Sequence, residues 1–299
     1  MFQQRRVRRL IRAWGLLLPM LIVLALVAAY PLYRTIYFSF TNAQLDLLDN
    51  AQFIGVANYY SAEGGLLKSP EWWNAVGNTL KFTFWSVLFE TLLGLIVALC
   101  LHKKFRGRGI FRAIVLIPWA IPTVVSAKMW NWIFNDQFGL ANDLLMKIGI
   151  LKEPFAWTIN PHTVMPVIIF VDVWKTTPFM ALLILAGLQL IPDHIYQAAK
   201  IDGISSFRLF FKVILPILAP SISVALIFRA LDALRIFDLI YVLTPDNPNT
   251  VSMSVFARYN LFDFDQFAYG SAASSMLFLI LCMLTLSYLY LSKAILHRL

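Results

Sequence analysis

Six charged side chains interrupt apolar runs in the second half of this chain, and they are the residues best suited to chemistry. Asp172 and Lys175 lie in one run, with Trp174 between them; Arg229, Asp232, Arg235 and Asp238 lie in another. Carboxylates accept hydrogen bonds and Lys and Arg donate them, so Asp172, Lys175, Arg229 and Asp232 could together hold a neutral, hydroxyl-rich ligand. The competing role is a structural ion-pair network that locks two helices together, and residue types alone leave both open. The four charges from Arg229 to Asp238 alternate in sign every three residues. Each step joins neighbours on a helix surface but turns about 60° backwards, so the ladder winds around the helix and all four cannot face one cavity. Arg235 is kept as a candidate ligand contact, although it and Asp238 better suit structural or gate-lining positions. In "WNWIFN", Trp130 and Asn131 add an aromatic platform and an amide that suit a sugar face, while Trp132 suits an interfacial anchor.

What must position these groups is a membrane. Of 299 residues, 60% are hydrophobic and 14% charged, against about 45–50% and about 25% in soluble domains. Mean hydropathy is +0.71. The predicted fold is an all-α membrane protein with six spans at roughly 14–40, 78–101, 111–134, 164–191, 216–241 and 271–292, each able to cross about 30 Å. The first apolar run continues into "YPLYRTIYFSF" and is too long for a cleaved signal segment. "SPEWWNAVG" reads as a helix start, with Pro70 at the first helical position and Glu71 at the positive end of the dipole.

Basic residues set the orientation. Fifteen Lys and Arg fall at 1–13, in 102–112, in 192–216 and at the C-terminal end, against four in the alternate loops. That asymmetry predicts both termini in the cytoplasm, with 1–13 as a basic cytoplasmic segment. It also assigns the +9 net charge to topology and contact with anionic lipid, with no nucleic-acid partner. Cys100 and Cys282 sit in separate apolar runs and are expected to be small core residues. There is no G-x-x-x-x-G-K-[ST], H-E-x-x-H or C-x-x-C, and the four histidines are scattered. A catalytic site, a metal centre and a cofactor bound by this chain are therefore not expected.

The most polar long stretch of the second half is the cytoplasmic loop "YQAAKIDGISSFRLFFKVILP", 196–216. Asp193 can start a short helix, Gly203 can end it in a left-handed turn, and Ser205 or Ser206 can start a second. The second carries Phe207, Phe210, Phe211 and Ile214 at helical spacing, with Arg208 and Lys212 opposite, and is expected to end near Pro216 along the membrane surface.

In the register of Gln197, Ala198, Ala199, Asp202 and Gly203, followed by Ile214, Leu215 and Pro216, this loop resembles the EAA loop of ABC importer permeases. Gln197 stands where the family has Glu. The blocks "FIGVANYY", "FNDQFGLANDLL" and "WKTTPFMALLILAGLQLIP" resemble the sugar-uptake branch, and "FRALDALRIFDLIYVLT" with "WKTTPFM" resembles its maltose, trehalose and α-glucoside type. The resemblance implies that Tyr196, Gln197, Ala198, Ala199, Asp202, Gly203 and Pro216 couple to a cytoplasmic ATPase dimer carrying ATP and Mg. It further implies a second homologous permease subunit, an extracytoplasmic sugar-binding protein, and residence in a bacterial or archaeal cytoplasmic membrane. A sugar derivative or glycerol-phosphate is the alternative cargo; the alternation of cations with acids favours a neutral sugar. An ion-coupled secondary transporter would explain the intramembrane charges but not the loop.

Overall fold

The computed structural model describes residues 14–61 and 64–296, the last six by backbone only; the basic segment 1–13 expected in the cytoplasm lies outside the described residues. The described residues are helical, with one isolated bridge between Thr41 and Phe53 and no strand. Among the described residues five helices are long and apolar enough to cross a membrane, and a pair bent by 87° makes a sixth if counted as one span.

The chain divides into two compact units. The first contains α1 (Trp14–Phe38), the loop that follows to Ser69, and residues Ala257–Leu277. Asn58 ties that loop by donating its amide to the Ser39 and Thr41 carbonyls at 2.9 and 2.8 Å. Phe38 packs edge-on to Phe267, and the Ala268 amide donates to the Ala43 carbonyl at 3.1 Å.

The second unit holds the charged residues. Its long helix α2 (Pro70–His102) joins the predicted start at Pro70 to the predicted second span in one 33-residue element. The third span is broken into α3 (Arg108–Ala120) and α4 (Thr123–Ile133), which meet at 87°. The residue before a proline is pushed out of helical geometry; Ile121 is extended at ψ 131°, as is Pro122 at ψ 140°. After the short helix α5 (Leu140–Lys147) comes α6 (Val164–Gln189), two-thirds buried along its most apolar stretch. It is the central helix of the unit. Gly94 of α2 lets Met180 approach so closely that a methyl there would lie 2.8 Å from its Cγ.

The loop 192–216 departs from the expected two separate helices. The short α7 (Asp193–Ile201) forms as expected, but the second helix does not end at Pro216. It runs on as α8 (Ser206–Leu234), through a π-turn at Phe210–Ile214, into the fifth span. Proline has no amide hydrogen, and widening the turn before Pro216 accommodates the missing bond without stopping the helix. The fifth span also ends earlier than predicted. Residues 235–237 leave helical geometry before the short α9 (Asp238–Leu243), and the Ser252 hydroxyl donates to the freed Ile236 carbonyl at 2.8 Å. The chain then forms α10 (Met253–Arg258) and a final long helix, α11 (Phe267–Leu296). Cys100 is exposed on α2 and Cys282 half-buried, so the expectation that both are core residues fails for Cys100. A span packed on one side leaves its other face outside the protein core.

Candidate functional site

Three helices bring their charges together at one buried point. Arg229 of α8 is 2% exposed, Glu90 of α2 is fully buried and Asp172 of α6 is 6% exposed. The Arg229 guanidinium forks onto both Glu90 oxygens: Nη2 donates to Oε1 at 2.9 Å and Nε to Oε2. Nη2 also donates to Asp172 Oδ2, and Nη1 to Asp232 Oδ2 at 3.0 Å. Ser86, one turn before Glu90, donates from its hydroxyl within reach of Glu90 and Asp172; Thr176, one turn after Asp172, reaches Glu90 Oε1 at 2.6 Å. A buried guanidinium is tolerated where its hydrogens are satisfied in this paired, bidentate way. The i,i+4 spacing of Ser86 with Glu90, and of Asp172 with Thr176, puts each pair on one helix face.

This network forms one wall of an open cavity of roughly 190 Å³, smaller than the several hundred Å³ usual for small-molecule sites. Asp172, Lys175, Thr176, Arg229, Asp232, Arg235 and Asp238 all line it. The expectation that the four charges of the fifth span cannot share a cavity is thereby corrected. It assumed an unbroken helix, and the break at 235–237 re-aims Arg235 and Asp238 toward the same space as Arg229 and Asp232. Lys175 is 8% exposed, and among the described residues its ammonium has neither an ion pair nor a hydrogen bond. Asp232 stays 68% exposed by side chain. Trp119 of α3 lines the cavity, stacked on Phe179 with planes 16° apart.

Trp130, Asn131 and Trp174 fall elsewhere. Trp130 stacks on Phe134 and meets Phe170 and Trp174 edge-on, each at 5.3–5.4 Å. Asn131 donates its amide to the Leu243 carbonyl at 3.2 Å. They join α4, α6 and α9 beside a second cleft that Asn131 lines, and none of the three lines the charged cavity.

Sequence reasoning missed Glu90 and Trp119. A lone carboxylate in the run "FWSVLFETLLG" was the available signal, since an acid within a span needs a partner. The partner lies 139 residues away, and no pattern in the sequence joins the two. Trp119 reaches the cavity because its helix turns away at Ile121, a bend that hydropathy does not register.

Helix α7 and the turn that follows it present a separate surface. Gln197, Ala198, Lys200, Asp202 and Gly203 are exposed, Ala199 is buried and Tyr196 half-buried. Gly203 adopts φ +65°, and the Ile204 amide donates back to the Ala199 carbonyl at 3.0 Å, closing a left-handed helix end. Ile201 and Phe207 flank it, 86% and 75% exposed. Asp193 pairs with Lys104 at 3.3 Å. The Tyr196 ring lies 5.9 Å from that of His102, and its hydroxyl has no partner among the described residues. Burial, with Asp193 nearby, holds this phenol above the ordinary tyrosine range, so it is a neutral donor at physiological pH. Pro216 lies half-buried at the start of the membrane-crossing part of α8.

Comparison with known proteins covers nearly the whole chain. It is 42% identical over 276 residues to the trehalose/maltose transport system permease protein MalF of Thermococcus litoralis, covering 92% of this chain and 91% of that one. It is 40% identical over 266 residues to the trehalose transport system permease protein SugA of Mycobacterium tuberculosis, covering 89% and 83%. It is 37% identical over 276 residues to the sulfoquinovosyl glycerol transport system permease protein SmoG of Agrobacterium fabrum, covering 92% and 88%. The fold matches a chain of a bacterial ABC transporter involved in the import of alginate, with a TM-score of 0.84, 21% identity and 99% of each chain covered. The family model for the inner membrane component of binding-protein-dependent transport systems matches residues 90–297. With the matched region running from the buried Glu90 through the cavity-lining residues and the turn at Gly203, the chain belongs to the family of inner membrane components of binding-protein-dependent transport systems.

Proposed function

We propose that the chain is a multi-pass permease subunit of an ABC importer that moves a di- or oligosaccharide, such as trehalose or another α-glucoside. The observation that carries this reading is the 42% identity, over nine-tenths of both chains, to a permease named for trehalose and maltose. The chemistry of the cavity is consistent with such a cargo. Its lining offers cations and carboxylates in balance and an indole face on Trp119, a surface that suits a neutral polyol with apolar C–H faces.

In this reading the chain supplies no ATP chemistry. ATP and Mg reside on an ATPase dimer that docks on Tyr196–Gly203, while a second homologous permease completes the pathway and an extracytoplasmic sugar-binding protein delivers the cargo. The complex sits in a bacterial or archaeal cytoplasmic membrane, both termini inside. A rigid helix closed by a fixed turn can transmit ATPase closure as a rigid-body shift. Gln197 meets the ATPase as a neutral hydrogen-bonding group. One observation favours a second cargo, a sugar derivative bearing an anionic group: the unpaired ammonium of Lys175.

The assembled complex in proteoliposomes is expected to accumulate labelled trehalose or maltose only with ATP and loaded binding protein. Uptake that follows a proton gradient without ATP would sink the ABC reading, and a binding protein that takes up only amino acids would sink the sugar.

Gly203 tests the coupling surface. A side chain there would meet nothing within 4 Å, so the cost lies in the backbone, about 1–2 kcal/mol for a left-handed residue with a Cβ. Gly203→Val, whose β-branched side chain disfavours this conformation, is expected to cut uptake about tenfold or more at normal abundance while the ATPase cycles without cargo. Gly203→Asn, which tolerates this conformation, should retain most uptake. Normal uptake by the Val variant would argue against a rigid coupling turn.

A further inference from the structure

The junction between α2 and α3 gathers positive charge that the described residues leave unanswered. Lys103, Lys104, Arg106, Arg108 and Arg112 fall within ten residues. Among the described residues the one carboxylate paired with any of them is Asp193, on Lys104 at 3.3 Å. The first three cations are exposed, whereas Arg108 and Arg112 are half-buried, and their i,i+4 spacing puts them on one face of α3. Arg108 makes a single long bond, from Nη1 to the His102 carbonyl at 3.5 Å. Nε and Nη2 of Arg112 are withdrawn from water and have no acceptor among the described residues. Those two nitrogens are the edge with which a guanidinium grips two oxygens of one anion. A charge withdrawn from water without a partner is costly, so this edge calls for an acceptor that the chain does not supply.

The same short helix carries a bare apolar stripe. Ile110, Ile114 and Ile117, at i, i+4 and i+7, are 68%, 55% and 55% exposed, and Phe105 meets Phe111 edge-on at 5.5 Å beside them. Helix α3 is half of a bent span, so lipid is its surroundings. A free anion would match the guanidiniums alone, and a neutral lipid the stripe alone. We propose that Arg108 and Arg112 form a binding site for the phosphate of an anionic phospholipid, whose acyl chains lie along Ile110, Ile114 and Ile117. The start of α3, which no side chain caps, adds the positive end of its dipole. Basic pockets between membrane helices hold anionic headgroups in this way. The inference rests on the chain spanning a membrane and is independent of its cargo.

The test is native mass spectrometry of the full-length chain, with the subunits that accompany it, after titration with dioleoyl-phosphatidylglycerol or dioleoyl-phosphatidylcholine. The two lipids share their acyl chains and differ in net headgroup charge. Each Lys or Arg beside an anionic headgroup is worth about fivefold in affinity, so the parent is expected to retain phosphatidylglycerol about tenfold better or more. Arg108→Gln with Arg112→Gln should lower that retention about tenfold. Lys103→Gln with Arg106→Gln removes the same charge from exposed positions of the same loop. It should lower retention less than about threefold, because exposed charges are screened. Inorganic phosphate in large excess should not displace the lipid.

Equal losses in the two double variants overturn the proposal, because the loop's charge would then attract the lipid with no site to hold it. Equal retention of both lipids by the parent also overturns it, and displacement by inorganic phosphate overturns it in favour of a free-anion site. Should the Arg108, Arg112 variant fail to accumulate, Arg112→Lys decides, since it keeps the charge and loses the two-nitrogen edge. A drop of about threefold or more in phosphatidylglycerol retention then supports the proposal, and parental retention overturns it.

Discussion

Arg229→Met is expected to be among the most damaging single substitutions in the chain. Methionine fills a similar volume but leaves Glu90 and Asp172 buried together with no cation between them. Removing one partner of a buried pair costs about 3–5 kcal/mol, because the remaining charge cannot return to water. Three helices meet at that guanidinium, so α2, α6 and α8 should loosen together. Denaturation of the purified protein in mixed micelles should show the loss, and adding Glu90→Gln should recover part of it by removing one stranded carboxylate. The result that would refute this is an unchanged denaturation midpoint for the single variant.

Gly187→Ala is the second large effect, and its cause is space. A Cβ at Gly187 of α6 would lie 2.5 Å from the Ser221 Cβ, 2.6 Å from its hydroxyl oxygen and 2.8 Å from Leu218 Cδ1 of α8. Alanine is the better helix former by about 1 kcal/mol, yet overpacking of this kind costs about 1–3 kcal/mol or more. The Ser221 Cβ is fixed to the backbone, so the two helices must separate. The separation would act beside α7 and the Gly203 turn, which join α6 to α8. Gly187→Ala is therefore expected to lower thermal stability and uptake together, and Gly187→Ala with Ser221→Gly to restore both. Full activity of the single variant would mean that this helix contact yields easily.

These two sites were unequally legible in the sequence. Arg229 and Asp172 stood out as charges in apolar runs, and an ionisable side chain in a span demands a partner whatever the fold. Gly187 gave no such signal, because a close approach between helices is a property of two surfaces and a glycine in an apolar run has many uses. The turn after α7 was legible to the residue: Gly203 adopts the left-handed conformation its type suggested. Local backbone preference decides such an end. The fate of Pro216 was misjudged for the complementary reason. Proline's missing hydrogen bond is a local fact, but a packed helix can absorb it in a widened turn, and packing is not local.

Composition and charge asymmetry alone determined that the chain is a bundle of apolar helices, because the transfer of so much apolar surface depends on amount and segment length and hardly on arrangement. The tertiary structure alone decided which charges meet. It breaks the third span at Ile121–Pro122 and the fifth at 235–237, and thereby brings Trp119, Arg235 and Asp238 to one cavity. It places Glu90 against an arginine far along the chain and moves Trp130 into an aromatic cluster. Electrostatic pairing acts across space, over a few ångströms and between helices that sequence order does not join, so it becomes fixed only when the helices have packed.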